Sequence, residues 1–335
     1  MAHGVKTGGI LLQSYRRHDP ATRFGPQDGL SLLSPYVANS SNYREAPMKR
    51  REFLSKTATG AGAAWLGSAF TRHLLAMPEI TGKFAASDMV MLGGTGIRTS
   101  RLAMGTGTVG TGHHSHQTAL GIDGLSSLLL NGYDHGLRFF DAADSYGSHP
   151  HVAAALKQVP RDKVTVLTKS WAREPDEMRA DIDRFRKELG TDYIDILLMH
   201  CLTEGDWTER YRGVMDVLSD AKQKGIIRAH GCSCHSIEAL GAAAKSPWVE
   251  VDLARINPIQ SNMDADPTTV IGVLREMRSA GKAVIGMKIL GAGDLRHKPD
   301  EALRFALSLD VLHAFTIGAE SKGEQEDLIR RIASA

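Results

Sequence analysis

From Asp88 onward, short runs of β-branched and apolar residues alternate with longer segments whose apolar positions recur at helical spacing. The runs are Leu102 to Gly105, Leu137 to Ala143, Val164 to Lys169, Ile194 to Met199, Ile226 to Cys232, Leu253 to Ile259, Ala283 to Ile289 and Ala314 to Gly318. Helical patterns with charged faces fill Glu174 to Leu189, Glu209 to Lys224, Thr268 to Ala280, Pro299 to Leu309 and Glu324 to Ile332. Gly190, Gly225 and Gly281 stand where left-handed C-caps close such helices. Eight strands alternating with helices over about 250 residues predict an α/β fold, a (β/α)8 TIM barrel. Ahead of it, Met89 to Leu92 and Ile97 to Ser100 flank Gly93-Gly94-Thr95-Gly96 and predict an N-terminal β-hairpin, placed to plug the bottom of the barrel.

The pattern divides the chain at 1–47, 48–86 and 87–335. Residues 1–47 carry Ser, Gly, Asn, Pro and scattered Arg with no sustained period, which reads as a disordered extension. Residues 48–86 open on Met48-Lys49-Arg50-Arg51-Glu52-Phe53-Leu54, followed by a mildly apolar stretch from Ala58 to Phe70. Paired arginines before a weakly hydrophobic segment resemble a twin-arginine export signal, which implies the twin-arginine translocation machinery as a partner and a periplasmic or otherwise exported destination. If the signal is not used, the protein stays cytoplasmic. Either Met48 is the true start or the extension is a long leading region, and Ala85-Ala86 is the best of several weak cleavage sites.

Composition narrows the function classes. The chain has 335 residues, 40 Lys plus Arg against 38 Asp plus Glu, and 23% charged residues. Residues 1–87 hold 11 of the basic and 5 of the acidic side chains, so the body is slightly acidic. No apolar run approaches the ~20 residues that span a bilayer, so stable membrane insertion is not expected. A polybasic nucleic-acid binder is not expected either. Three cysteines, Cys201, Cys232 and Cys234, lie in apolar runs and build no disulfide framework.

In a barrel of this class the C-terminal ends of the strands carry the active site. Three consecutive strands end in ionisable groups: Asp141, followed by Ala142-Ala143-Asp144-Ser145-Tyr146-Gly147; Lys169, after Thr168; and His200, after Leu198-Met199. The spacings, 28 residues from Asp141 to Lys169 and 31 from Lys169 to His200, are each about one βα repeat. The groups therefore share one height on neighbouring strands, where uncompensated ions are costly to bury.

These segments, Asp141 to Gly147, Thr168-Lys169 and Leu198 to His200, together with the hairpin Leu92 to Ser100, resemble the aldo/keto reductases in order and spacing. The resemblance implies NAD(P)H-dependent reduction of an aldehyde or ketone, reversible as alcohol oxidation, by an oxidoreductase acting on small carbonyl substrates. It makes Tyr146 the proton donor, Lys169 the charge that lowers the phenol's pKa, Asp141 the group that holds the lysine, and His200 the donor that polarises the carbonyl. Cofactor positions carry over onto Ser233 and Cys234 after strand five, Arg255 in strand six, Met287 and Lys288 after strand seven, and Gly318, Ser321 and Lys322 after strand eight. Cys234 stands where the family has an amide side chain, Met287 where an aromatic commonly stacks, and Glu320 where a basic residue often meets a 2′-phosphate. With Lys322 as a substitute, NADP is preferred over NAD, which stays possible. Trp171 and Trp207 are the candidate substrate walls. Absence of the family's longer C-terminal tail implies a shallow site open to bulky substrates.

Other motifs point elsewhere. Gly105-Thr106-Gly107-Thr108-Val109-Gly110 matches G-x-G-x-x-G, yet neither a prompt helix nor a later acidic residue completes a dinucleotide fingerprint. His113, His114, His116, His149, His151 and the Cys232-Ser233-Cys234-His235 run are rich in ligand types, but paired Cys-x2-Cys units are missing and no metal site is assigned. Two rival functions remain: a cofactor-binding redox-sensing module with little turnover, and a metal-dependent barrel hydrolase.

Overall fold

The computed structural model describes residues 84–335. The extension at 1–47 and the twin-arginine segment therefore lie outside the described residues. A two-stranded antiparallel hairpin comes first, β1 (Met89–Met91) and β2 (Arg98–Ser100), paired Met89 to Ser100. Eight parallel strands follow: β3 (Leu102–Gly105), β4 (Phe139–Asp141), β5 (Thr165–Ser170), β6 (Ile194–Leu202), β7 (Ile227–Cys234), β8 (Val251–Arg255), β9 (Ala283–Met287) and β10 (Ala314–Ile317). They close in sequence order, β10 pairing with β3. The helices are α1 (Gly121–Asp134), α2 (His149–Leu156), α3 (Pro175–Leu189), α4 (Trp207–Arg210), α5 (Arg212–Gln223), α6 (Ile237–Lys245), α7 (Pro267–Ser279), α8 (Pro299–Ser308) and α9 (Lys322–Ile332). The predicted (β/α)8 barrel with its hairpin is the observed architecture. Among the described residues no helix is long and apolar enough to cross a membrane.

Local chemistry sets the element ends. α3 starts with a reciprocal capping box between Glu174 and Glu177, with Pro175 in the first turn, and ends at Gly190 in the left-handed region. Its Met178, Ile182, Phe185 and Leu189, at spacings of three and four, are the buried stripe. The stretch predicted as one helix from Glu209 is instead broken at Tyr211, whose φ of −107° and ψ of 28° separate α4 from α5.

Strand alternation sorts side chains into two cores. Ala103, Phe139, Leu167, Ile196, Leu198, Ala229, Val251, Leu253, Ala283, Ile285, Met287 and Ala314 fill the lumen. Phe140, Val166, Leu197, Met199, Cys232, Cys234, Ala254, Val284 and Phe315 pack outward with the helices. Leu92 and Ile97 join the lumen set, so the hairpin does plug the barrel. At Gly93, with φ of +49°, a Cβ would stand 2.5 Å from the Gly281 carbonyl oxygen, so the turn sits against backbone where only glycine fits.

Candidate active site

The same alternation carries three polar side chains to the lumen at the C-terminal ends: Phe139 is followed two residues on by Asp141, Leu167 by Lys169, and Leu198 by His200. Lys169 Nζ donates to Asp141 Oδ1 at 2.6 Å and to the Ala142 carbonyl at 2.8 Å, and it is fully buried. The second carboxylate oxygen, Oδ2, accepts from the Thr316 hydroxyl at 2.8 Å, a contact across 175 residues of sequence. Burial opposes the lysine's charge, yet Asp141 and Tyr146 outweigh it and its pKa is raised. The ammonium is locked on.

Tyr146 follows β4 on a single helical turn, Asp144–Tyr146, closed by Gly147 at φ of +65°. Lys169 Nζ lies 4.9 Å from its ring centroid, and the His200 ring stands edge-on at 5.9 Å. Burial pushes the phenol above its ordinary value, and the pull of Lys169 does not reverse that. The expectation that Lys169 lowers the pKa is thus met in the direction of its own effect but not in the net result, because Asp141 adds to the opposing side and desolvation is larger.

The G-x-G-x-x-G run has a structural meaning that spacing alone did not reveal. A Cβ at Gly107 would stand 2.2 Å from Tyr146 Cε2, and one at Gly110 would stand 2.3 Å from Cδ1. These two glycines are the bed on which the tyrosine ring lies. Gly105 meets the other side of the barrel seam, 3.0 Å from Gly318 N by the same construction.

His200 sits where β6 departs from regular pairing with β7. The register shifts between Met199 and Leu202, Cys201 takes φ of +54°, and its N–H donates to Ser233 Oγ at 3.1 Å. This bulge resets the alternation, so Leu202 packs outward while His200 stays inward. β6 accordingly runs three residues past the predicted end at Met199. Burial, then Lys169, His235, Arg173 and Lys288, hold the His200 pKa well below its ordinary value, so the imidazole is neutral. Its Nδ1 is buried without a hydrogen-bond partner among the described residues. Arg173 donates to the His200 carbonyl at 2.7 Å. The Cys201 thiol, pushed up to about 11 by burial, lies 3.3 Å from His235 Nδ1.

The remaining predicted positions divide. Trp171 is 50% exposed with its ring 5.2 Å from that of His200, at the mouth of the site. Trp207 is not there. It is fully buried, donates from Nε1 to the Ala239 carbonyl at 3.1 Å and packs on Trp248, because the short α4 turns its one large apolar side chain inward against α6. Ser233 faces the lumen side of β7, whereas Cys234, one residue on, points to the helix layer and cannot grip a ligand in the lumen. Met287 closes the lumen set, and Lys288 beside it takes φ of +59°. Arg255 is engaged by Asp264. Gly318 approaches Thr108 and Gln117 closely, Ser321 caps α9 by accepting from Glu324 N at 3.2 Å, and Lys322 begins that helix. Glu320 accepts from His116 Nδ1 at 2.7 Å. Thr316, Arg173, His235, Gly107 and Gly110 are site residues that sequence reasoning missed; only the unexplained glycine motif offered a signal.

The histidine-rich segments do not converge on this site. His149 is bound at both ring nitrogens, by Glu188 and by Thr168, each at 2.7 Å. Among the described residues, the groups compatible with a metal are Asp144, His149 and Glu188, and separately Cys232, Cys234 and Asp252.

At the C-terminal mouth of an eight-stranded barrel, a buried lysine–aspartate pair thus lies under a tyrosine and faces a neutral histidine. The sequence profile described as the aldo/keto reductase family matches residues 101–311, and the chain belongs to that family. It is 28% identical over 170 residues to the NADH-specific methylglyoxal reductase of Escherichia coli strain K12, covering 43% of this chain and 51% of that one. It is 36% identical over 90 residues to the aldehyde reductase YPR1 of Saccharomyces cerevisiae, covering 24% of this chain and 29% of that one. The chain thus spans about half, or less, of the length of these curated relatives. The fold resembles that of aldo-keto reductase AKR11C1 from Bacillus halodurans, with a TM-score of 0.58 at 16% identity over 73% of this chain and 90% of that one. Two structures of a Pseudomonas aeruginosa protein assigned as an aldo-keto reductase give a TM-score of 0.63 at 19–20% identity, over 75% of this chain and 96–97% of those.

Proposed function

We propose that the protein reduces an aldehyde or ketone with a nicotinamide cofactor, using Tyr146 as proton donor and Lys169, Asp141 and His200 as its assistants. The observation that carries this reading is the fully buried Lys169–Asp141 pair under the Tyr146 ring, opposite neutral His200. A raised phenol pKa keeps the donor protonated at neutral pH. As negative charge grows on the carbonyl oxygen, the phenol releases its proton and Lys169 compensates the phenolate. His200, neutral, donates a hydrogen bond to the same oxygen without adding a competing acid. Asp141, held at both oxygens, keeps the lysine charged and aimed.

The residues present fit a nicotinamide dinucleotide. Ser233 and Met287 both face the lumen, the close approach of Gly105 and Gly318 leaves backbone at the seam, and the N-terminus of α9 is a ready anion site. When bound, the cofactor supplies the hydride. For NADP over NAD the support is Lys322 at the first position of α9, with Glu320 already engaged by His116. Half-exposed Trp171 supports an open site that admits bulky substrates.

Export by the twin-arginine route rests on Arg50-Arg51-Glu52-Phe53-Leu54 and the mildly apolar stretch from Ala58 to Phe70 that follows. Substituting both arginines by lysine and fractionating cells tests it: loss of the exported form is expected, and unchanged distribution overturns it. The catalytic reading is tested by fluorescence titration with NADPH and NADH, followed by steady-state reduction of a panel of aldehydes and ketones. Binding with turnover that falls by about 10²- to 10⁴-fold in Tyr146→Phe is expected. Binding without turnover in the unaltered protein would instead favour the sensing module.

A further inference from the structure

On the side of β7 and β8 that faces the helices, away from the active site, three chemically matched groups meet. Cys232 and Cys234 are two residues apart on β7, so they share a face, and Asp252 on β8 is the Cα partner of Cys232. All three are completely buried. The two sulfurs are 3.8 Å apart, Cys232 Sγ lies 3.5 Å from Asp252 Oδ1, and one donor atom from each residue falls within 4.8 Å of the others. Asp252 Oδ2 has no hydrogen-bond partner among the described residues, which is costly for a carboxylate oxygen shut away from water.

We propose that Cys232, Cys234 and Asp252 form a zinc site. The sulfur separation is the bite that two thiolates make on a tetrahedral ion, about 3.8 Å for Zn–S bonds of roughly 2.3 Å. A carboxylate that binds through both oxygens would complete a distorted four-donor set and use the orphaned Oδ2, so no water is needed in a dry layer. Charge also balances. Two thiolates and one carboxylate against a dication leave one negative charge, and buried Lys282, whose charge Cys232 and Asp252 feel, offsets it. Binding replaces two S–H bonds with two S–Zn bonds and releases two protons, with no change of oxidation state. The site ties β7 to β8 behind Ser233 and is structural: it lies on the opposite face of β7 from the lumen and offers the ion no open position for substrate.

The test uses the purified full chain, stripped with chelator under reductant and titrated with Co²⁺ and then Zn²⁺. About one equivalent of Co²⁺, bound with release of two protons and giving visible bands and thiolate charge-transfer absorption, is expected, and Zn²⁺ then displaces it with no further proton release. The charge-transfer band should vanish in Cys232→Ser and Cys234→Ser, weaken in Asp252→Asn, and persist in Cys201→Ser. Far-ultraviolet circular dichroism checks that each variant is folded. A folded, reduced, unaltered protein that shows no thiolate–cobalt band overturns the proposal irrespective of the variants. So does a band lost in Cys201→Ser but kept in Cys232→Ser, which would place the ion at Cys201 and His235, or a Cys232–Cys234 disulfide recovered in place of the ion.

Discussion

Replacing Gly107 by alanine tests whether the glycine pair sets the position of Tyr146, the proton donor proposed above. The new Cβ would lie 2.2 Å from Tyr146 Cε2 and 2.4 Å from Cδ2 and Cζ, whereas ordinary contact begins at 3.4 Å. The ring must therefore retreat by about 1.2 Å, and a misplacement near 1 Å costs on the order of 10²-fold in rate. That fold-change corresponds to about 2.7 kcal/mol on the barrier. Gly107 has no positive φ, so alanine brings no backbone strain and the effect is the ring's. The assay is steady-state carbonyl reduction at saturating cofactor, with cofactor affinity measured separately by fluorescence. A kcat lower by about two orders of magnitude, with cofactor affinity nearly unchanged, is expected. Gly110→Ala, whose Cβ would reach 2.3 Å from Tyr146 Cδ1, should behave alike, and Gly272→Ala in α7, with nothing within 4 Å, should not. A kcat for Gly107→Ala within a few-fold of the parent would refute the cradle.

Asp141→Asn strips the counter-ion from fully buried Lys169 and should lower stability by about 3–5 kcal/mol, read as a shifted urea midpoint; an unmoved midpoint would show that the pair is not what holds the lysine. Trp207→Ala should cost about 3–5 kcal/mol in unfolding free energy, because the side chain is fully buried. Trp171→Ala should instead raise KM for bulky carbonyls with little change in Tm, and the reverse pattern would exchange their roles. Stability should fall as pH drops from about 6.5 towards 4. Burial holds His235 and His313 at about 4, so the unfolded chain takes up their protons first. Their contribution is present in full above the unfolded value and is lost on acidification; urea midpoints that stay level between pH 7 and pH 5 would contradict this.

Much of the site was legible because two kinds of regularity coincide in a barrel. One is the βα repeat, which placed Asp141, Lys169 and His200 at one height. The other is strand alternation, which aims residues two positions beyond Phe139, Leu167 and Leu198 into the lumen. The same rule could have turned Cys234 away from the ligand, since Ser233 and Cys234 are adjacent and cannot both face inward. Trp207 misled for a different reason. A lone tryptophan after an active-site strand reads as a wall or as core with equal ease, and the turn of α4 decides between them.

By itself, the chain's pattern of polar and apolar positions determined the eight-stranded barrel, its hairpin plug and the order of the groups that meet at its mouth. These follow from periodicity and from the energetic cost of an ion buried alone. The tertiary structure decided what depends on closure and register: Thr316 reaching Asp141 across the seam, Gly107 and Gly110 bedding Tyr146, the bulge at Cys201, and Asp252 beside the two cysteines. Such contacts join residues from separate strands and loops, and no local spacing encodes them. They exist only once the sheet has closed and each strand has taken its register against the next.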